Sequence, residues 1–352
     1  MSTDVHEASS APPPARTTRP KLRLVVVGAT LVVAAAGAIA VFSRGGNEET
    51  TTKSVAATLR VDGEPNGVAA GPNALWVALN EGAPALNGQL ERINLATGAV
   101  DKSIPMRGVL SETRRFGASV WTEQLGDFMD TKPGALLALD WRTGKIQRRI
   151  SFDRTPFGYD FGAGSLWVVL GRNPATLVRL DPATGEQVGN KIVLSTQRVI
   201  GLAFGAGAVW AAAAEDGLLI RVDPASGRVD KVKVGDFPVG ITIANGDVWV
   251  ANREGGSVSR VDPGKMEVVD TIDAGTYPTW IAAAGGSVWV ANQDDGTVTR
   301  IDAATGEVDG PPIRIAPAHP GNASAHIVAA QQDSVWVSSI TQKTVSRLDA
   351  GH

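Results

Sequence analysis

Short apolar bursts alternate with polar turns along most of this chain, and the bursts repeat. The stretch from Pro278 to Thr305 reads PTWIAAAGGSVWVANQDDGTVTRIDAAT. It opens on an apolar and small-residue run, Ile281 to Ala284. A second run, Ser287 to Asn292, sets Val288 and Val290 on either side of Trp289. In a third, Thr297 to Asp302, Val298, Arg300 and Asp302 alternate with Thr297, Thr299 and Ile301. Period-two alternation over such lengths, bounded by Gly, Asn and Asp, predicts strands. The preceding unit adds a fourth after its turn, Val268 to Ile272. A Leu-Trp or Val-Trp pair recurs seven times, at Trp76, Trp121, Trp167, Trp210, Trp249, Trp289 and Trp336, a spacing of 39 to 47 residues. Four strands in each of seven such units predict an all-β, seven-bladed β-propeller with four-stranded blades. One unit cannot bury both its faces, so neighbouring units must stack.

The turns carry their own chemistry. Asp181-Pro182-Ala183-Thr184-Gly185 is matched by Asp223 to Gly227 and by Asp302 to Gly306. Aspartate bonds the backbone two residues on, proline presets φ and glycine supplies positive φ, so these aspartates read as turn residues. The arginine two before each recurs in six units, at Arg92, Arg179, Arg221, Arg260, Arg300 and Arg347. Six copies point to a structural arginine of the blade. The last unit ends at Asp349 without a fourth strand, and an orphan strand, Val55 to Val61, precedes the first unit. That strand is expected to complete the last blade and close a propeller of residues 55–352, leaving only short edges.

The runs Val248-Trp249-Val250-Ala251-Asn252 and Val288-Trp289-Val290-Ala291-Asn292, each followed by Gly-[Ser/Thr]-Val-x-Arg-[Ile/Val]-Asp, resemble the YVTN-repeat β-propellers. NHL-repeat propellers and streptogramin (virginiamycin B) lyases are near neighbours in pattern. The resemblance covers residues 55–349 and implies the propeller fold. It leaves function open, because one propeller scaffold hosts many functions.

Ahead of the repeats, residues 1–22 are polar and proline-bearing and are expected to be a disordered cytoplasmic tail. Leu24 to Phe42 then runs nineteen residues without a charge. At ~1.5 Å per residue such a run spans a hydrocarbon core of ~30 Å, predicting a transmembrane signal-anchor helix over 23–43. Arg16, Arg19, Lys21 and Arg23 on its N-terminal side hold that end in the cytoplasm. Residues 44–54 follow as a polar tether, and the propeller is expected outside the cytoplasm as a single-pass cell-membrane protein. Ala38-Ile39-Ala40 offers a rival cleavage site, but a signal peptide has a shorter leader and apolar region.

The chain has no cysteine, which excludes thiol catalysis, disulfide exchange and cysteine metal sites. Net charge is −3, without a basic stripe, so nucleic acid is not an expected partner. Only His319 and His326 lie among the repeats, too few for an ordinary zinc site. Streptogramin lyases use histidine, glutamate and a divalent metal on the propeller face, and that set does not map onto this chain. No metal, cofactor or catalytic residue is therefore assigned.

Departures from the repeat mark the candidate site. Seven residues before each tryptophan stand Ala69, Ala203, Thr242, Ala282 and Ala329 in five units, but Arg114 and Asp160 in two adjacent ones. Blade two adds Glu112, Arg115 and the long loop from Thr122 to Gly134. Trp280 replaces a glycine found at Gly67, Gly158, Gly201 and Gly240. These charges read either as a pair bridging an irregular blade or as a polar site at the channel mouth. Trp280 reads as core packing or as a binding platform. Together with Tyr159 and His326 they form a candidate ligand-binding set: Glu112, Arg114, Arg115, Tyr159, Asp160, Trp280 and His326. The expected function is binding or sensing of a small molecule or envelope protein at this face. The alternatives are a lyase-like or lactonase-like enzyme and a structural partner in the cell envelope.

Overall fold

The structure is a computed structural model. It describes residues 30–35 and 38–43 (backbone only) and residues 55–351, apart from 82–86, 126–131, 196, 320, 322–324, 326–327 and 332–333. Six four-stranded antiparallel sheets and one larger sheet form the seven blades of a propeller. The innermost strands are Glu64–Ala70, Val109–Phe116, Pro156–Gly162, Val199–Gly205, Pro238–Ala244, Pro278–Ala284 and Val328–Gln331 in blades one to seven.

The repeated tryptophans explain the stacking. Trp76, Trp210, Trp249 and Trp289 are fully buried between blades. Three of these indoles also anchor locally, whereas Trp76 Nε1 donates to the Trp141 carbonyl at 2.9 Å. Trp249 Nε1 donates to the Ala244 carbonyl at 3.2 Å, and Trp289 does the same to Ala284 at 3.2 Å. The recurrent arginine pairs across the ladder from its tryptophan and lies over the ring, as Arg260 does over Trp249 at 5.3 Å and Arg300 over Trp289 at 5.0 Å. Arg260 Nε also bonds Asp247 at 2.6 Å. The motif asparagines are buried and lock the hairpin between strands two and three: Asn292 Nδ2 donates to Thr297 and Thr299 hydroxyls at 3.1 and 2.9 Å. The turn aspartates accept two amides each, as Asp302 does from Ala304 and Thr305.

Val55–Arg60 pairs antiparallel with Thr344–Asp349, so the first propeller strand completes the last blade. Leu59 and Val61 are buried there, and the Thr58 and Ser346 hydroxyls meet at 3.2 Å. The apolar run ahead of it departs from the helix expected over residues 23–43. Thr30–Ala35 and Ala38–Ser43 are antiparallel strands, and Ala40 and Val41 pair with Leu59 and Thr58. Among the described residues, no helix is long and apolar enough to cross a membrane. The run is rich in Val, which favours strands, and the free edge of Val55–Arg60 offers it a template. The tail at 1–22 and the tether at 44–54 lie outside the described residues.

Candidate functional site at the channel mouth

Each innermost strand pairs with its tryptophan-bearing strand so that the residue seven before the tryptophan lies opposite it. The seven positions therefore ring the central channel at one height. Five carry Ala or Thr, which let the strands converge; the other two carry Arg114 and Asp160. Arg114 Nη1 lies 3.6 Å from Asp160 Oδ1. Arg114 Nε donates to Glu112 Oε1 at 2.7 Å, and Nη2 makes a second bond to the same oxygen. Asp160 does more than pair. Its Oδ1 accepts from the Phe161 amide at 2.8 Å, and its Oδ2 accepts from the Phe204 amide of blade four at 2.7 Å. The cluster thus ties blades two, three and four around a channel cavity of about 380 Å3.

A β-bulge interrupts the innermost strand in blades one to six, and it sets which side chains face the mouth. Nine residues before the tryptophan, inside this bulge, stand Gly67, Glu112, Gly158, Gly201, Gly240 and Trp280. The glycines are there because the next blade comes too close. A Cβ on Gly201 would overlap the Val239 carbonyl oxygen, and one on Gly240 the Thr279 carbonyl oxygen. Blades two and six instead carry Glu112 and Trp280, and both side chains line the channel cavity and a second basin of about 320 Å3 at its mouth.

Glu123 is the buried acid of that basin, only 3% exposed, and its Oε1 has no hydrogen-bond partner. Burial pushes the Glu123 carboxyl well above the usual carboxylate range, and the neighbouring Glu112 charge adds to this. Bonds from the Gly158 amide and the Ser111 hydroxyl, with the Arg114 charge, act in the opposite sense. Burial raises Glu112 too, offset by Arg114.

Three guanidinium groups line the other side of the basin, each stacked on an aromatic ring. Arg172 lies over Phe157 at 4.7 Å, and Arg198 over Phe237 at 4.9 Å. Arg253 sits between Tyr277 at 4.5 Å and Phe237 at 5.9 Å. Phe237 and Tyr277 hold φ of 55° and 61°, each just before a proline. Bulky residues rarely adopt that region, and such strain clusters where a side chain must be aimed. Here the two rings lie under Arg198 and Arg253, which line the basin, and the Arg253 amide donates to the Phe237 carbonyl at 3.0 Å.

Of the seven sequence candidates, Glu112, Arg114 and Asp160 come together, and Trp280 lines the same cavity. Arg115 also lines the channel cavity but is exposed, and its guanidinium lies 4.8 Å over Trp141. Tyr159 is fully buried in the blade core and outside both cavities; its hydroxyl donates to the Trp121 carbonyl at 2.8 Å. The bulge between Pro156 and Tyr159 resets the alternation, so Asp160 faces the channel and Tyr159 the core. His326 lies outside the described residues. Sequence reasoning missed Glu123 and the arginines at 172, 198 and 253. The signal available was the row of rim aromatics, Phe157, Phe237 and Tyr277, each of which carries an arginine on its face.

Among the described residues, no three His, Asp or Glu side chains approach closely enough to hold a metal ion. Glu112 and Asp160 are engaged by Arg114 and by backbone amides, so this donor set does not fit the divalent metal that the lyase resemblance implies.

Residues 141–262 match the family DUF6923, a repeat of unknown function. No curated protein matches the chain. Among solved structures, the chain is similar to virginiamycin B lyase from Staphylococcus aureus, with a TM-score of 0.66 and 18% identity over 83% of this chain and 98% of that one. It is also similar to the computationally designed Ika8 protein, with a TM-score of 0.61 and 13% identity over 90% and 95%. A chain of the Mitotic Checkpoint Complex aligns with a TM-score of 0.70 and 12% identity over 94% and 100%. At these identities the likenesses establish the propeller fold and nothing finer.

Proposed function

We propose that this propeller is a binding or sensing module, held outside the cytoplasm by its N-terminal apolar segment, that takes a ligand at the channel mouth. One observation carries the reading. Five blades line the channel with Ala or Thr, so ring packing does not need large polar side chains there, yet blades two, three and six place Glu112, Arg114, Asp160 and Trp280 together around one cavity. Pockets of this size, with a few convergent polar groups and an aromatic wall, suit small ligands. Thermal-shift screening of the full chain beside Trp280→Ala tests it. Compounds that stabilise the wild type and not the variant support the reading; equal shifts in both, or no shift with any compound, sink it.

The anchoring part rests on the uncharged run and its basic N-terminal flank. In lipid an open sheet edge leaves backbone groups unsatisfied, whereas a helix satisfies its own. A run that pairs as strands in water is therefore expected to become helical in a bilayer. Protease added to intact cells should degrade the propeller and spare the tail; a protected propeller refutes the topology. The repeats are read as YVTN-type on the Val-Trp-Val-Ala-Asn motif, whose asparagines brace the hairpins.

A second reading, a lyase-like or lactonase-like enzyme, is favoured by Glu123. A carboxyl whose pKa burial raises, beside an ion-paired Glu112, is an arrangement suited to general acid catalysis. Loss of turnover with retained binding in Glu123→Gln would select this reading over simple binding.

A further inference from the structure

We infer that the basin at the channel mouth is an oxyanion site, recognising a small molecule through a carboxylate or phosphate group gripped chiefly by Arg253. The inference rests on the binding reading above and names the ligand's chemistry.

Arg253 carries the argument. It lines the basin, and among the described residues no carboxylate pairs with it. Its Nε is buried without a hydrogen-bond partner. Its guanidinium carbon lies 4.5 Å from the Tyr277 ring centre and 5.9 Å from that of Phe237, and a guanidinium stacked on a ring keeps its edge for hydrogen bonds. A guanidinium fixed in this way presents a planar fork of N–H donors, and that fork matches carboxylate and phosphate oxygens. The strained φ of Phe237 and Tyr277 would have no purpose in a surface arginine free to move; it makes sense if the fork has to be held in one place. Arg198 contributes in part, since Glu215 takes its Nε at 3.0 Å. Arg172 stands on the same wall.

The opposite wall supplies the second contact. Glu123 lines the basin, and its buried Oε1 has no hydrogen-bond partner. A buried polar atom left unpaired costs free energy, and such atoms are expected to find a partner when a ligand arrives. The expected ligand therefore has an anionic end for the arginine wall and a neutral hydrogen-bonding group for Glu123. The basin's volume of about 320 Å3 keeps it small.

The test uses the full chain and defined probes. Inorganic phosphate, citrate and succinate are titrated calorimetrically, alongside glycerol and succinamide as uncharged counterparts. The oxyanions are expected to bind and the neutral probes not to. Arg253→Gln should weaken oxyanion binding by about 10- to 100-fold, the worth of a charge-assisted pair of bonds. Arg253→Lys should recover little, because an ammonium offers no fork. Unchanged circular dichroism and melting temperature show that the variants fold. A preference for phosphate over the dicarboxylates, or the reverse, separates phosphate esters from organic acids as the ligand class. Oxyanion binding unchanged in Arg253→Gln overturns the inference. If only uncharged compounds bind, and they depend on Trp280, the inference falls while the binding reading stands. If nothing binds, both fall.

Discussion

Replacing Asp160 with alanine tests whether the channel cluster is a simple ion pair or a keystone between blades. Asp160 accepts two backbone amides, from Phe161 in its own strand and Phe204 in the next blade, and lies 3.6 Å from Arg114. Hydrogen bonds to a charged acceptor are worth ~1.5–3 kcal/mol each, and an orphaned amide costs on the same scale. The side chain is 20% exposed, so water relieves part of the loss. Arg114 keeps Glu112 as partner, which limits the ion-pair contribution to ~1 kcal/mol or less. Asp160→Ala is therefore expected to cost roughly 2–4 kcal/mol. Asp160→Asn keeps one acceptor and should cost about half of that. A pure ion pair would let Arg114→Ala/Asp160→Ala recover stability. Here the double variant should be worse than Asp160→Ala alone, because Arg114 also neutralises the buried Glu112. Urea unfolding followed by tryptophan fluorescence measures the series through the midpoint at constant slope. A loss below ~0.5 kcal/mol for Asp160→Ala, the scale of an ordinary surface change, would refute the reasoning, as would recovery in the double variant.

Two further outcomes follow from the same geometry. Glu123 has a folded pKa raised well above the ordinary carboxylate value of 4.5, so its contribution to stability is fully present below that value and is lost as pH rises through the folded pKa. Glu123→Gln should flatten that loss in melting temperature against pH; an unchanged profile means that Glu112, the other raised carboxyl beside it, carries the dependence, since Arg114 stays charged and Tyr159 neutral in that range. The turn aspartates Asp140, Asp223, Asp262 and Asp302 have lowered pKa values and act oppositely, their support fading as pH falls through them. Deleting residues 1–61 exposes the edge of Thr344–Asp349 and removes the buried side chains of Leu59 and Val61, whose burial is worth ~1.5–3 kcal/mol each. Such a chain should aggregate on heating well below one that begins at Thr50; equal melting temperatures would show that the ring closes without the strand.

The fold was legible because its signal is redundant. Seven tryptophans and six ladder arginines repeat one local solution, so a single misread unit changes nothing. The site was legible only where it broke that repetition. Arg114 and Asp160 stood out against alanines at the same register. Trp280 stood out against glycines, and Glu112 occupies the same bulge position. Tyr159 was misplaced because a bulge shifts the alternation by a residue, and no side-chain pattern announces that shift. Arg172, Arg198 and Arg253 sit at strand ends, where blades differ freely, so no register exposes them. Glu123 continues the tryptophan-bearing strand of blade two into its long loop, and only burial distinguishes it from the other acids there.

The ring's closure sets a clock on its own synthesis. Thr58 and Ser346, whose hydroxyls meet in the last blade, are separated by 288 residues. At the usual pace of elongation, the first strand waits ~15–60 s for its partner. During that interval six blades can form and stack, yet the assembly is an open arc with a bare edge at one end and an orphan strand at the other. Among the described residues, every other strand pairing in the propeller is between near neighbours in sequence. The slow, long-range step is thus confined to a single hydrogen-bonded ladder. Whatever shields that strand during those seconds, a chaperone or the chain's own preceding residues, decides whether the arc closes on itself or on the arc of another copy.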